Sequence, residues 1–309
     1  MEFFTTAAGI TVHVWDTRDE KDPRPEPGVT SSVLPGSTSS VLPGSTPSVL
    51  PGSTGHLKPC LVLLHGYLET MYVFNELIEA LKPSFRIITL DMPGHGLTDS
   101  APADEDGRRI NTLAFSADVV AGVLAKCGVD HAWVAGHSMG GYVAQQFLSA
   151  HPEKTDGIIL LGSHPYPDAP EKAHDREKEK EFIRAGKLLS LAQIAVPNMY
   201  YEENLRACDE KIRETVSLCE THDPEGICSA IDGLRLRPDL RPVLENPPKP
   251  VLLVCGGHDN YIPAARIAEM KAAFPQVRFF QVEEAGHNAF IERQEAVVAA
   301  IERFTTENC

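Results

Sequence analysis

Residues 131–150 read HAWVAGHSMGGYVAQQFLSA, a short apolar run, a glycine-rich turn and then helical spacing. HAWVAG at 131–136 fits a buried strand, and a helix starts at about Gly140. Between them, Gly136-His137-Ser138-Met139-Gly140 sets a serine on a sharp turn with its hydroxyl clear of the backbone. Such a turn needs small residues at Gly136 and Gly140. The helix that follows aims its positive end at the serine, which favours the oxyanion formed in acyl transfer. Ser138 is therefore the candidate nucleophile.

The same alternation continues on both sides. Upstream stand CLVLLHG at 60–66, then Phe74, Leu77, Ile78 and Leu81 at helical spacing, FRIITLD at 85–91, and Leu113, Ala117, Val120 and Leu124 again at helical spacing. Downstream come the strands GIILLGS at 157–163, PVLLVCGG at 250–257 and VRFFQV at 277–282, with helices expected around 264–273 and from about 292. Strands apolar on both faces belong in a parallel sheet covered by helices on each side, so the fold class is α/β, doubly wound and mostly parallel. Residues 2–15 alternate around Gly9 and read as a β-hairpin at the sheet edge.

Two stretches interrupt this grammar. Residues 17–58 contain SSVLPGST at 31–38 and 39–46 and PSVLPGST at 47–54, units too poor in apolar side chains to offset the entropy of ordering. A flexible linker is expected there. About 85 residues without a strand, 164–248, separate GIILLGS from PVLLVCGG and must form a helical lobe of their own. Within it, 171–184 pairs Asp175 with Lys178, Glu177 with Lys180 and Glu181 with Arg184, and is expected to be a solvated helix. Ile194, Val196, Met199, Tyr200 and Tyr201 are its candidates to face a substrate. The expected organisation is an N-terminal hairpin (1–16), the repeat-bearing insert (17–58), a first core part (59–163), the lobe (164–248) and a second core part (249–309).

A serine near neutral pH needs a base, and the best placed of twelve histidines is His287 in EEAGHNAF, directly after the last strand. A loop histidine there falls on the carboxyl edge of the sheet, the edge that also holds Ser138. Asp259 follows PVLLVCGGH in the same way and can accept the imidazole Nδ1–H. Asp168, after the strand ending at Ser163, is its rival. The backbone N–H groups of Tyr67, in His65-Gly66-Tyr67, and of Met139 are the candidate oxyanion donors, each lowering the barrier by about 3 to 4 kcal/mol. His137 reads as a packed neighbour of the turn, and His164 stands where it can line the mouth of the site.

Composition narrows the alternatives. A formal net charge of −15, from 28 basic and 43 acidic residues, would repel a phosphate backbone, so no nucleic-acid partner is expected. No run approaches the roughly 20 apolar residues of a spanning helix. Glu2 stands where a signal peptide needs basic residues. Seven cysteines without a C-x-x-C pair suggest neither a disulfide framework nor a metal site, and reduced thiols in the cytoplasm are expected, with Cys60 and Cys255 buried in strands.

HGY at 65–67, DMPGHGLTD at 91–99, GHSMGG at 136–141, GGHD at 256–259 and GH at 286–287 together resemble the α/β-hydrolase superfamily. The resemblance covers nearly the whole chain apart from the repeats. It implies an eight-stranded sheet, a cap after the sixth strand, no cofactor, and an esterase or lipase-like reaction on a small ester or acyl substrate. It also implies the triad Ser138, Asp259 and His287, oxyanion positions at Tyr67 and Met139, and a structural turn at Asp91, Gly94, His95 and Gly96. Epoxide hydrolases and dehalogenases of this fold carry aspartate at the elbow, and Ser138 argues against both. Remaining rivals are a C–C hydrolase or lyase with the same triad and a slow-turnover ligand receptor.

Overall fold

The computed structural model describes residues 1–18 and 58–309; the three repeats at 31–54 lie outside the described residues. The amino terminus forms strands β1 (Glu2–Ala7) and β2 (Ile10–Asp16), an antiparallel hairpin turning at Ala8 and Gly9. The chain then runs through β3 (Cys60–Leu64), α1 (Asn75–Leu81), β4 (Arg86–Leu90), α2 (Leu113–Lys126), β5 (Ala132–His137), α3 (Met139–Ala150) and β6 (Thr155–Leu161). Helices α4 (Pro170–Arg184), α5 (Leu188–Ala195), α6 (Asp209–Leu218), α7 (Pro224–Arg235) and α8 (Arg241–Glu245) follow before β7 (Val251–Gly256). The remainder is α9 (Ala264–Ala273), β8 (Arg278–Val282), α10 (Ala289–Glu292) and α11 (Gln294–Glu307).

The strands form one eight-stranded sheet in the order β1-β2-β4-β3-β5-β6-β7-β8. β2 meets β4 antiparallel, and every pairing from β4 through β8 is parallel. Side chains alternate across a strand, so each central strand feeds two cores. Val62, Leu64, Val134, Ile158 and Leu253 pack on one face with α2 and α3. Leu61, Leu63, Ala135, Ile159 and Val254 pack on the other with α1, α10 and α11. A third apolar cluster, with Ile183, Ala192, Val196, Tyr200 and Ile231, belongs to the helices between β6 and β7 and closes on Leu68 at the sheet edge.

A buried ion pair ties the hairpin to the parallel part. Arg86 Nε donates to Asp16 Oδ1 at 3.0 Å and Nη2 to Oδ2 at 2.6 Å, while Nη2 also reaches the Cys127 carbonyl at 2.9 Å. Such a two-pronged match of guanidinium and carboxylate fixes geometry as well as charge. Cys60 and Cys255 are buried in their strands. Among the described residues no helix is long and apolar enough to cross a membrane.

Candidate active site

Because β3 and β5 to β8 run parallel, the loops after them meet on one edge of the sheet. Tyr67 follows β3, Ser138 follows β5, His164 follows β6, Asp259 follows β7 and His287 follows β8. Ser138 itself has φ 47° and ψ −108°, a strained backbone for any residue with a Cβ. Its N–H donates to Leu161 O at 2.9 Å and its carbonyl accepts from Ser163 Oγ at 2.9 Å, so β6 holds the turn in place. A Cβ at Gly136 would stand 2.2 Å from Gly140 O, and one at Gly140 would stand 2.1 Å from Leu64 O. No other residue fits at either position without moving backbone.

His287 Nδ1 lies 2.8 Å from Asp259 Oδ2, and both side chains are buried. The other oxygen, Asp259 Oδ1, accepts from the amides of Tyr261 at 2.7 Å and Ile262 at 2.9 Å. Burial alone would raise the Asp259 carboxyl, but the charge and hydrogen bond of His287, then the two amides, outweigh it and hold it below the usual carboxylate range. Burial opposes a charged His287, but Asp259's charge and hydrogen bond raise the imidazole above its ordinary value, with smaller help from Glu69 and Glu292.

The structure brings Asp259, and not Asp168, to His287. Asp168 is instead held by Arg176 and Arg237, the latter with Nη1 2.6 Å from Oδ1. Ser138, Met139, Tyr67 and His287 line one cavity of about 760 Å³. As the first residue of α3, Met139 has an N–H with no carbonyl four residues back to receive it. His164 lines the same cavity, its Nε2 3.1 Å from Tyr142 Oη, and burial with Arg237 and Arg266 nearby pushes its imidazole down to about 3.

The helix over 171–184 departs from the expectation of a solvated surface. Arg176, Lys180 and Ile183 of α4 are buried, and Lys172, Arg176, Glu179 and Phe182 line the cavity. Asp175–Lys178 and Glu177–Lys180 do pair, at 3.1 and 3.2 Å, but Lys180 also bonds Asp232 of α7 at 2.7 Å. Arg184 pairs with Glu225 of α7 at 2.9 Å rather than with Glu181. Long aliphatic stems let these charged residues pack against α7 while their heads find partners on it. Of the expected apolar contacts, Ile194 and Met199 line the cavity, Val196 and Tyr200 are buried among the helices, and Tyr201 stacks on His258, ring centroids 3.8 Å apart.

Two buried carboxylates near the site escaped sequence reasoning. Glu69 Oε2 accepts from Gly66 N at 2.7 Å and lies 2.8 Å from His137 Nδ1. Burial would raise Glu69, but His137's charge and hydrogen bond and the Gly66 amide hold it below the usual range. Glu292 accepts from Gly286 N at 2.8 Å through Oε1, and from Tyr201 N at 2.9 Å and Asn204 Nδ2 at 2.7 Å through Oε2, pinning the loop that carries His287. Neither stands in a recognisable spacing; only the apolar neighbours of Glu69 and its place after the HGY turn hinted at it. Asp91 is structural, accepting from Met71 N and Leu97 N at 3.0 Å each and lying 2.9 Å from His13 Nδ1.

Comparison with known proteins agrees with this architecture. The profile of the alpha/beta hydrolase fold matches residues 59–294. A pimeloyl-(acyl-carrier protein) methyl ester esterase of Xanthomonas campestris is 28% identical over 262 residues, covering 81% of this chain and 96% of the relative. A 2-succinyl-6-hydroxy-2,4-cyclohexadiene-1-carboxylate synthase of Escherichia coli is 27% identical over 252 residues, covering 79% and 92%. Among solved structures, a thermophilic esterase from Thermogutta terrifontis superposes with a TM-score of 0.80 at 24% identity, over 100% of this chain and 99% of the other.

Proposed function

The chain belongs to the α/β-hydrolase fold family, and on that footing we propose that it is a serine hydrolase that cleaves a carboxylic ester through an acyl-enzyme. The observation that carries the reading is the 2.8 Å contact of His287 Nδ1 with Asp259, at the cavity that the strained Ser138 lines. Asp259 holds the imidazole with its proton on Nδ1, which leaves Nε2 as the base. Ser138 Oγ attacks the acyl carbon while His287 takes its proton. The tetrahedral oxyanion is met by the backbone N–H groups of Tyr67 and Met139. His287 returns the proton to the leaving alcohol, and a water activated the same way releases the acid. Residues 164–248 act as the cap that shapes the pocket.

The esterase named among the relatives supports this reading. The synthase among them favours a second one, in which the same triad serves a lyase or a C–C hydrolase with His287 again moving the proton. A chain-length panel of aryl esters on the wild type and Ser138→Ala tests both. Turnover that drops by about 10⁴-fold or more in the variant is expected, together with fluorophosphonate labelling at Ser138 alone. Equal turnover by both proteins would overturn the assignment of the nucleophile. An aryl-ester burst without steady turnover, or no turnover at all, would favour the rivals.

A further inference from the structure

Two guanidinium groups stand in the wall of the cavity that holds Ser138 and His287. Arg176 comes from α4 and Arg237 from the turn after α7, and both are buried. They share a single carboxylate, Asp168, which Arg176 meets through Nε and Nη2 and Arg237 through Nη1. Arg237 also donates from Nε to Tyr166 O and from Nη1 to Leu234 O, each at 3.0 Å. Among the described residues these bonds leave over Nη1 of Arg176 and Nη2 of Arg237.

The local charge favours an anion. Lys178 and Asp175 pair with each other at 3.1 Å, so Lys172, Arg176 and Arg237 face only Asp168 and Glu179 among the remaining charged residues of the cavity wall. One positive charge is in excess, in a chain whose formal net charge is −15. The excess is carried by the exposed Lys172 at the cavity wall, and the guanidinium nitrogens left over can donate charge-assisted hydrogen bonds to an anion that enters. The site also lies near the chemistry. The Arg237 guanidinium stands 4.5 Å from the centre of the Tyr142 ring, and Tyr142 sits one helical turn beyond Ser138, its N–H donating to Ser138 O at 3.3 Å. One turn is about 5.4 Å along the axis. Phe182, Leu191 and Met199 supply apolar wall for the carbons of a substrate.

We propose that Arg176 and Arg237 form a carboxylate subsite, and that the substrate is an ester carrying a second, anionic carboxylate a few bonds from the scissile group. The inference rests on the hydrolase reading and deepens it. Guanidinium is the side chain suited to this task, because its planar fork matches a carboxylate with two parallel bonds.

The test compares kcat/KM for p-nitrophenyl hydrogen glutarate with that for p-nitrophenyl valerate, which places the carboxylate on the acyl side. A second arm compares 4-carboxyphenyl butyrate with 4-carbamoylphenyl butyrate, which places it on the alcohol side. A preference of about ten-fold for the anionic ester in one arm is expected, the size of a hydrogen bond to a charged group. Arg176→Gln should abolish it. If that variant does not fold, the exposed Lys172→Gln is expected to reduce the same ratio by about two-fold. Active wild-type enzyme with no anionic preference in either arm would overturn the subsite while leaving the hydrolase reading intact. If no ester is cleaved, calorimetric titration of Ser138→Ala with glutarate decides: binding that Arg176→Gln removes supports the subsite, and no binding overturns it.

Discussion

Glu69 Oε2 lies 2.8 Å from His137 Nδ1, and the His137 ring stands 4.8 Å, centroid to centroid, from that of His287. A fully buried carboxylate thus sits one ring behind the imidazole proposed as the base. Its charge adds to Asp259 in raising His287. A base works when neutral, so kcat/KM should fall on the acid side around a value above about 6.5. Glu69→Gln removes the more distant negative charge and should move that limb to lower pH. An unmoved limb in a folded variant would show that Glu69 serves only to hold the Gly66 turn.

Asp259→Asn should lower kcat by about 10⁴-fold, because an amide cannot hold the imidazole in the productive tautomer. Asp168→Asn should cost far less in kcat and appear instead as a lower Tm, since it strips Arg176 and Arg237 of their shared partner. Steady-state kinetics and thermal melts on the two variants check this, and the reverse ranking would make Asp168 the acid.

Acid should unfold the protein through three buried carboxylates. Asp259 and Glu69 are both held below their usual range. Burial alone would raise Asp91, but the His13 hydrogen bond, the charge of His65 and the amides of Met71 and Leu97 lower it. A depressed folded value contributes stability that is fully present above the unfolded pKa, about 3.9 to 4.3 for these groups, and is lost as pH falls through the folded values. Urea midpoints should therefore drop steeply below about pH 4. Asp91→Asn should be less stable at neutral pH and flatten that drop.

Arg86→Ala should destabilise the fold by about 3–5 kcal/mol, because it leaves Asp16 as an uncompensated charge in the interior. The loss is readable in urea unfolding. A change within about 0.5 kcal/mol, the range of ordinary surface substitutions, would mean that the pair does not tie the hairpin to the sheet.

The order of strands and helices was legible in the sequence because it is written in local periods, two for a strand and 3.6 for a helix. HAWVAG, then GHSMG, then a helical run specifies strand, turn and helix without reference to any distant residue. Parallel strands then send every loop after a carboxyl end to one edge, so Ser138, Asp259 and His287 can be named as candidates from their places in the chain. What stands in contact across that edge has no period to betray it. Glu69 meets His137 across 68 residues and Lys180 meets Asp232 across 52. Asp168, an eligible partner for His287 from sequence, is instead engaged by Arg176 and Arg237. The pattern of α4 is that of a solvated helix, yet packing on α7 turns it into a cavity wall. Short-range sterics and patterning fix the elements and the edge on which the candidate triad gathers, so both can be read along the chain. Which charges pair and which side chains line the cavity is visible only in the folded molecule, because side-chain contacts depend on the distance between residues far apart in the chain.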